Sequence, residues 1–239
     1  LQAELERLGV RILTGVSAEL IGDGTRIKAV RAGDEVIEAG QVVWTAPITL
    51  ALQQLGLPPA RLDYLALLLY NVVVNSEAAR PFQWCYFGHK DLVFSRVSIP
   101  RFFSSSTSPE GTHGLCVEVT CREDDTRWRH AESLTDWVVD DLVKVGLIPH
   151  RRAIQDLHVE RVPETYPIYH RRYPGELEGA QAALAGVENL HLAGRTGKFW
   201  YNNMDHSIED ALALSRKLLQ EAGRRDAEEG LLAQGLLAS

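Results

Sequence analysis

One stretch near the end of the chain combines glycines, an arginine, aromatic residues and a predicted helix start. Gly194-Arg195 follows a short apolar run, and Tyr201-Asn202-Asn203-Met204-Asp205 comes shortly after it. The first turn of a helix has backbone amides without intrahelical partners, and the helix dipole adds partial positive charge there. Such a helix start can stabilise negative charge on a bound ligand. Gly194 and Gly197 permit close backbone approach, and Arg195 offers a planar fork to phosphate or carboxylate.

A plainer interpretation of the same stretch is purely structural. A glycine turn followed by a surface helix capped by Asn203 has this spacing. The aromatic residues from Phe199 to Tyr201 then belong to the core. Spacing alone favours this interpretation, so the chemical one depends on the motif resemblance described below.

The elements around this stretch are typical of an α/β arrangement. A strand is predicted from Asn189 to Ala193 and a helix from about Met204 to Glu221. The inward face of that helix is predicted to comprise Ile208, Ala211, Leu212, Ser215, Leu218 and Leu219. The first part of the chain predicts a helix and then five strands: Leu1–Leu8, Val10–Leu13, Ala18–Ile21, Arg26–Arg31, Glu35–Glu38 and Gln41–Trp44.

The middle of the chain has the pattern of an antiparallel α+β lobe. Its predicted strands are Leu65–Val74, Gln83–Phe87, Val93–Val97 and Leu115–Thr120. One helical face follows at Leu134, Trp137, Val138, Leu142 and Val145, and a second helix at Glu176–Ala185. The predicted fold class is therefore α/β with α+β. Residues 1–49 and 186–222 form a β-meander with a C-terminal strand and helix, 50–185 form the lobe with its antiparallel sheet, and 223–239 form a tail.

Composition narrows the class of protein. Among 239 residues, 25 basic and 32 acidic ones give a net charge of −7, which argues against a nucleic-acid binder. No run approaches the roughly 18 apolar residues of a membrane span. Three cysteines form an odd, sparse set that favours reduced thiols in a cytoplasmic protein. The eight histidines lack ligand spacing such as H-E-x-x-H, so no metal site is predicted.

Several stretches together resemble one family. Gly194-Arg195 followed by the segment from Tyr201 to Ile208 resembles the C-terminal flavin motif of the FAD-dependent amine oxidase and protoporphyrinogen oxidase superfamily. The likeness is greatest to UDP-galactopyranose mutase-like flavoproteins. These have a tyrosine six residues past the arginine and then a Met-Asp or Gln-Asp helix start. Phe94-Ser95-Arg96-Val97, the segment from Glu164 to Tyr169, and Val42–Pro47 resemble further passages of that family.

The resemblance implies FAD as the cofactor of the intact protein and assigns site residues. The arginine lies beside the flavin and the amide of Met204 faces flavin O2, within a cofactor-binding set of Gly194, Arg195, Tyr201, Asn203, Met204 and Asp205. Substrate binding is implied for Arg96, Tyr166 and Tyr201, with Arg96 on a substrate phosphate and Tyr201 on a diphosphate. No side chain is assigned as catalytic.

The chain also departs from the family pattern. Such enzymes begin with a strand, GxGxxG and a helix that hold the FAD pyrophosphate, and no such motif is present. Gly22-Asp23-Gly24-Thr25-Arg26-Ile27 lacks the third glycine and falls in a predicted hairpin. Asn203 stands where bacterial mutases have aspartate. The sequence begins Leu1-Gln2-Ala3, and its only methionine is Met204. We therefore expect a fragment whose partner is the missing N-terminal Rossmann segment, and which alone binds FAD weakly or not at all.

These observations predict the C-terminal portion of an FAD-dependent oxidoreductase-superfamily flavoprotein. It would position a small, phosphate-bearing substrate such as a sugar nucleotide over the flavin, while the redox chemistry belongs to the cofactor. One alternative is the redox-neutral sugar isomerisation of UDP-galactopyranose mutase. Another is a non-catalytic fragment that acts as a substrate-binding module without FAD.

Overall fold

The computed structural model describes residues 1–222, so the predicted tail from 223 lies outside the described residues. The helices and strands, in chain order, are α1 (Gln2–Arg7), β1 (Ala18–Gly22), β2 (Ile27–Ala32), β3 (Glu35–Glu38), β4 (Val42–Trp44), α2 (Ile48–Gln54), β5 (Tyr64–Val74), β6 (Trp84–Tyr86), β7 (Arg96–Ser98), β8 (His113–Cys121), α3 (Thr126–Arg129), α4 (Thr135–Lys144), β9 (Ile154–Pro167), α5 (Tyr173–Ala185), β10 (Leu190–Leu192), α6 (Gly194–Gly197) and α7 (Met204–Glu221). Mixed helices and antiparallel sheets confirm the predicted fold class.

The chain divides into two compact units. The first unit comprises Leu1–Leu62 and the chain from Tyr169 onward, and the second comprises Asp63–Ile168. Helices α2 and α5 therefore belong to the first unit. The assignment of residues 1–49 with 186–222 to a cofactor domain and of 50–185 to a substrate lobe stays a prediction.

The first unit contains an antiparallel meander and a parallel strand pair. Strands β1, β2 and β3 pair in that order, and β10 pairs with β4 in parallel. The meander turns where the Asp23 carboxylate accepts hydrogen bonds from the backbone amides of Thr25 and Arg26. Asn189, fully buried before β10, joins the two sheets. Its side chain accepts from the amide of Ile27 at 2.9 Å and donates to the carbonyl of Ile27 at 2.8 Å.

The second unit is an antiparallel sheet with a helix against one face. The strand order is β6-β7-β8-β5-β9. Side chains on alternate positions of the central strands enter the core with Val138 and Leu142 of α4, and they include Leu68, Tyr70, Val72, Leu115, Val117 and Val119. The Tyr70 hydroxyl donates to the carbonyl of Ala131 at 2.6 Å, and burial raises the pKa of Tyr70 to about 12.

Most predicted elements are confirmed and some are wrong. The strand predicted at Val10–Leu13 is absent, and those residues are largely exposed because no described strand pairs with them. Strand β7 lies later than predicted, at Arg96–Ser98. Ala211, Ser215, Leu218 and Leu219 of the face predicted to point inward on α7 line a cavity, but none of the helix's residues is buried. No helix in the part of the chain that the structure describes is long and apolar enough to cross a membrane.

Candidate functional site

The start of α7 presents backbone amides at an open surface. Asn203 and His206 form a capping box, and the amide of Ser207 bonds to the Asn203 carbonyl. Among the described residues, none accepts a hydrogen bond from the amides of Met204 or Asp205. Met204 is 78% exposed. The helix start therefore keeps two donors and the positive end of its dipole available to a ligand.

Arg195 organises the loop that leads to this helix start. Its guanidinium donates to the backbone carbonyl of Asn202 and lies over the ring of Tyr201, 5.0 Å from the centroid. The amide of Tyr201 donates to the Tyr169 hydroxyl at 2.6 Å. The Arg195 guanidinium thus contacts protein groups and holds the loop that contains Tyr201 and Asn202 in place. Half of the Tyr201 side chain remains exposed.

Asn202 carries an unusual buried acceptor next to the helix start. The residue is 4% exposed, and its amide nitrogen donates to the Ser207 hydroxyl at 3.0 Å. Its side-chain oxygen is buried without a hydrogen-bond partner among the described residues. A buried acceptor without a donor costs about 1–3 kcal/mol, which a ligand donor would offset.

Phe199 adds a strained backbone to the same loop. It adopts φ of 50°, although it is a non-glycine residue and almost fully buried. Its ring packs against Tyr169 and Tyr173 at centroid distances of 6.0 and 6.3 Å. Such backbone conformations persist where packing imposes them, and they cluster at ligand sites.

Gly197 approaches protein backbone and not an open ligand surface, which corrects the expected reason for this glycine. A Cβ built on it would lie 2.5 Å from the Trp44 carbonyl oxygen and 3.3 Å from the Thr45 Cα. Gly194, by contrast, has φ of 73° and needs glycine for its backbone conformation. The two glycines therefore seat α6 directly on the end of β4.

We expect Gly197→Ala to lower the free energy of unfolding by about 1–3 kcal/mol, because backbone atoms must move to admit the methyl group. Gly179→Ala is the matched control. It lies within α5 with no atom within 4 Å of the added Cβ, and it should stabilise the protein by about 0.5–1 kcal/mol. Urea unfolding of both variants measures the difference. Equal effects would contradict the close packing of α6 on β4.

A second cluster of polar side chains lies on the sheet of the second unit. Arg96 donates through Nε to Glu118 Oε1 at 2.8 Å and through a terminal nitrogen to the same oxygen. It also donates to the Tyr86 hydroxyl at 3.2 Å and to the Tyr166 hydroxyl at 3.3 Å. Burial lowers the pKa of Arg96, but the hydrogen bonds to Glu118 and Tyr86 outweigh that effect, so the pKa lies above its ordinary value.

Tyr166 reaches this cluster because β9 contains a bulge. Leu65 pairs with Tyr166 and Leu67 with Val162, so one residue of β5 lies opposite three residues of β9. Glu164 within the bulge adopts φ of 50°, and burial raises the pKa of its carboxyl. The strained bulge therefore re-aims the tyrosine toward Arg96.

The predicted residues thus fall into two groups, one on each unit. Gly194 and Arg195 lie in α6, Tyr201, Asn203, Met204 and Asp205 lie at the start of α7, and Arg195 joins the two through the Asn202 carbonyl. Arg96 and Tyr166 lie together on the sheet. Sequence reasoning missed Tyr86 and Glu118, which complete the second group. The only signal was a carboxylate between valines in an apolar strand, since the ion pair depends on the register of β7 against β8.

An apolar cavity of about 600 Å³ lies in the first unit between α7, β4 and the end of β10, and Gly194 and Ser207 belong to its lining. Its lining includes Val43, Ala193, Ala211, Leu214, Leu218 and Leu219. This cavity explains why α7 buries none of its apolar face. Within residues 1–222 no group of three or more His, Cys, Asp or Glu side chains is arranged to hold a metal ion.

The chain has the fold of the C-terminal portion of FAD-dependent amine oxidase-type oxidoreductases, which confirms the predicted resemblance as a likeness of fold. No protein-family model matches the sequence, and no curated protein matches it.

Comparison with individual solved structures gives the degree of structural similarity. A reduced UDP-galactopyranose mutase aligns with a TM-score of 0.71 and 19% identity over 86% of this chain and 47% of that one. A protein assigned as a protoporphyrinogen oxidase from Exiguobacterium sp. 255-15 aligns with a TM-score of 0.60 and 16% identity, over 87% of this chain and 51% of that one. Putrescine oxidase bound to putrescine aligns with a TM-score of 0.56 and 12% identity, over 90% of this chain and 51% of that one. The chain therefore spans about half the length of these proteins.

Proposed function

We propose that this chain is part of an FAD-dependent oxidoreductase-superfamily flavoprotein and supplies the wall that contacts the flavin ring. The observation that carries the proposal is the helix start at Met204 and Asp205, whose two amides have no acceptor among the described residues. Hydrogen-bond donors and a positive dipole fit the N1–C2=O2 edge of a flavin, which becomes negative on reduction.

Each group has a role in this proposal. FAD, when bound, supplies the redox chemistry. The amides of Met204 and Asp205 stabilise the reduced ring, and Arg195 and Asn203 hold the loop and helix start in place. The proposed substrate-binding residues are Arg96 and Tyr166 in the second unit and Tyr201 in the first. We place the protein in the cytoplasm, where free thiols such as the three cysteines described here persist.

The proposal includes a partner segment that grips the FAD pyrophosphate. Parallel strands occur almost only in sheets covered on both faces, and β4 and β10 form a pair of two strands. The backbone amide of Val42 and the carbonyl of Trp44 form hydrogen bonds to residues flanking β10. Because successive residues of a strand direct their backbone polar groups to opposite sides, the amide and carbonyl of Val43 point to the other edge of β4. This edge and the 600 Å³ apolar cavity suit a further parallel strand, glycine turn and helix.

Titration of the purified chain with FAD and with riboflavin tests the proposal. The proposed chain contacts the ring but lacks the motif that binds the FAD pyrophosphate. Binding to the protein should therefore quench the fluorescence of FAD and of riboflavin with the same affinity within about threefold, at a Kd between roughly 10 µM and 1 mM. If FAD binds more than tenfold tighter than riboflavin, the chain has its own grip. If neither binds, the proposal fails for this chain, and the alternative of a substrate-binding module without flavin is favoured.

A second chemistry is the redox-neutral isomerisation of a sugar nucleotide, favoured by the TM-score of 0.71 to the mutase. The structural likeness to putrescine oxidase supports an oxidase chemistry instead. The two differ in what the complete protein requires. Activity that depends on prior reduction of the flavin would favour the mutase chemistry, and oxygen consumption with an amine would favour the oxidase.

A further inference from the structure

Five side chains form a row across the sheet of the second unit. Tyr86 pairs with Arg96, Arg96 with Glu118, Glu118 with Leu69, and Leu69 with Glu160. Directly paired residues of an antiparallel sheet project from the same face. The flanking residues of β7 and β8 enter the core, so this row lies on the face away from the core.

The charge of Arg96 is already balanced within this row. Glu118 is 6% exposed, and both hydrogen bonds from Arg96 to it converge on Oε1. The other carboxylate oxygen lies 3.5 Å from the Tyr166 hydroxyl. A buried carboxylate is strongly unfavourable without such a partner, so the pair behaves as one neutral unit.

The guanidinium has almost no capacity left for an anion. Of its five N–H donors, two point to Glu118 and one to each tyrosine hydroxyl. A phosphate held by both prongs of Arg96 would have to displace one of these partners. The other row members are Leu69 and Glu160, which supply no cation.

The next row on the same face contains no Arg, Lys, Asp or Glu. It comprises Trp84, Ser98, Cys116, Asn71 and His158, paired in that order. Burial raises the pKa of the Cys116 thiol, so that group stays protonated at neutral pH. Apart from the Glu160 carboxylate, these two rows therefore offer hydroxyl, amide and aromatic groups to a ligand, and no unbalanced cation.

We infer that Glu118 is a specificity-determining residue: by neutralising Arg96 it makes this face a site for an uncharged polar ligand, which the hydroxyls of Tyr86 and Tyr166 bind, and excludes phosphate. This inference rests on the proposed substrate role of the sheet, and it favours a substrate without phosphate over the sugar-nucleotide alternative. It removes Arg96 as a phosphate anchor and gives the residue a positioning role, since the guanidinium holds both hydroxyls in place.

Calorimetric titration with inorganic pyrophosphate at low salt tests the inference on the full chain. Glu118→Gln leaves the Arg96 charge unbalanced, so this variant should bind pyrophosphate at least tenfold tighter than the wild type. Glu160→Gln is the matched control, because it removes the same charge from the same row without releasing a guanidinium. Its affinity should change less than twofold. A folded Glu118→Gln variant without any gain would overturn the inference.

The double variant Arg96→Gln/Glu118→Gln gives an answer that does not depend on the folding of the single variant. Both charges are removed together, so neither is left buried alone. Its pyrophosphate affinity should equal that of the wild type within twofold. A tenfold loss would mean that Arg96 binds phosphate in the wild type, and the inference would fall. Riboflavin binding reports on the first unit, so its failure would contradict the proposed function separately.

Discussion

Arg96→Leu is expected to lower the free energy of unfolding by about 3–5 kcal/mol, because it leaves Glu118 buried without its cation. The loss should exceed that of an exposed ion pair, for which about 0–1 kcal/mol is usual. Urea unfolding followed by circular dichroism measures it. The exposed pair between Arg11 and Glu35 provides the comparison through Arg11→Leu.

The double variant Arg96→Leu/Glu118→Leu distinguishes two causes of the lost stability: the loss of the ion pair itself, and the burial of a Glu118 carboxylate without a cation. Replacing a buried ion pair by apolar side chains is often neutral or stabilising, so most of the lost stability should return. A double variant as unstable as Arg96→Leu would show that Glu118 is not the source of the cost. The hydrogen bonds to Tyr86 and Tyr166 would then account for it.

Asn189→Ala is expected to cost about 2–6 kcal/mol, because it removes the side chain that bonds both the amide and the carbonyl of the fully buried Ile27. The same amide also reaches the carbonyl of Gly40 at 3.2 Å, so one side chain ties β10 to the meander. Urea unfolding again provides the measurement.

Asn203→Ala is the control for this asparagine. It removes a helix cap at an exposed position and should cost about 1 kcal/mol. A loss for Asn189→Ala no greater than that of Asn203→Ala would contradict the bridging role. Asn189→Asp keeps the acceptor for the Ile27 amide but loses the donors and buries a charge, so it should not restore stability.

Local signals in the sequence predicted the elements whose ends are set by short-range chemistry. The cap at Asn203 predicts the start of α7 at Met204, and the Gly22-Asp23-Gly24 turn predicts the β1–β2 hairpin; both are confirmed. The sequence also predicts a strand at Val10–Leu13. A strand also requires a partner, and none of the described strands pairs there.

Long-range pairing explains what the sequence could not reveal. Glu118 and Arg96 are 22 residues apart, and they meet only because β7 pairs with β8 in one register. A shift of one residue would place the carboxylate in the core. The apolar face of α7 is visible in the sequence, but its neighbours are not. The structure shows that it lines a cavity instead of a filled core.

Met204→Pro tests most directly whether the start of α7 contacts a flavin. Proline at the first helical position removes one amide while preserving the helix, and Met204→Ala retains the amide as the matched control. In fluorescence titrations with riboflavin, Met204→Ala should bind like the wild type and Met204→Pro at least tenfold more weakly, with equal helix content by circular dichroism. Equal riboflavin affinity for the two variants would contradict the assignment of this helix start to the flavin.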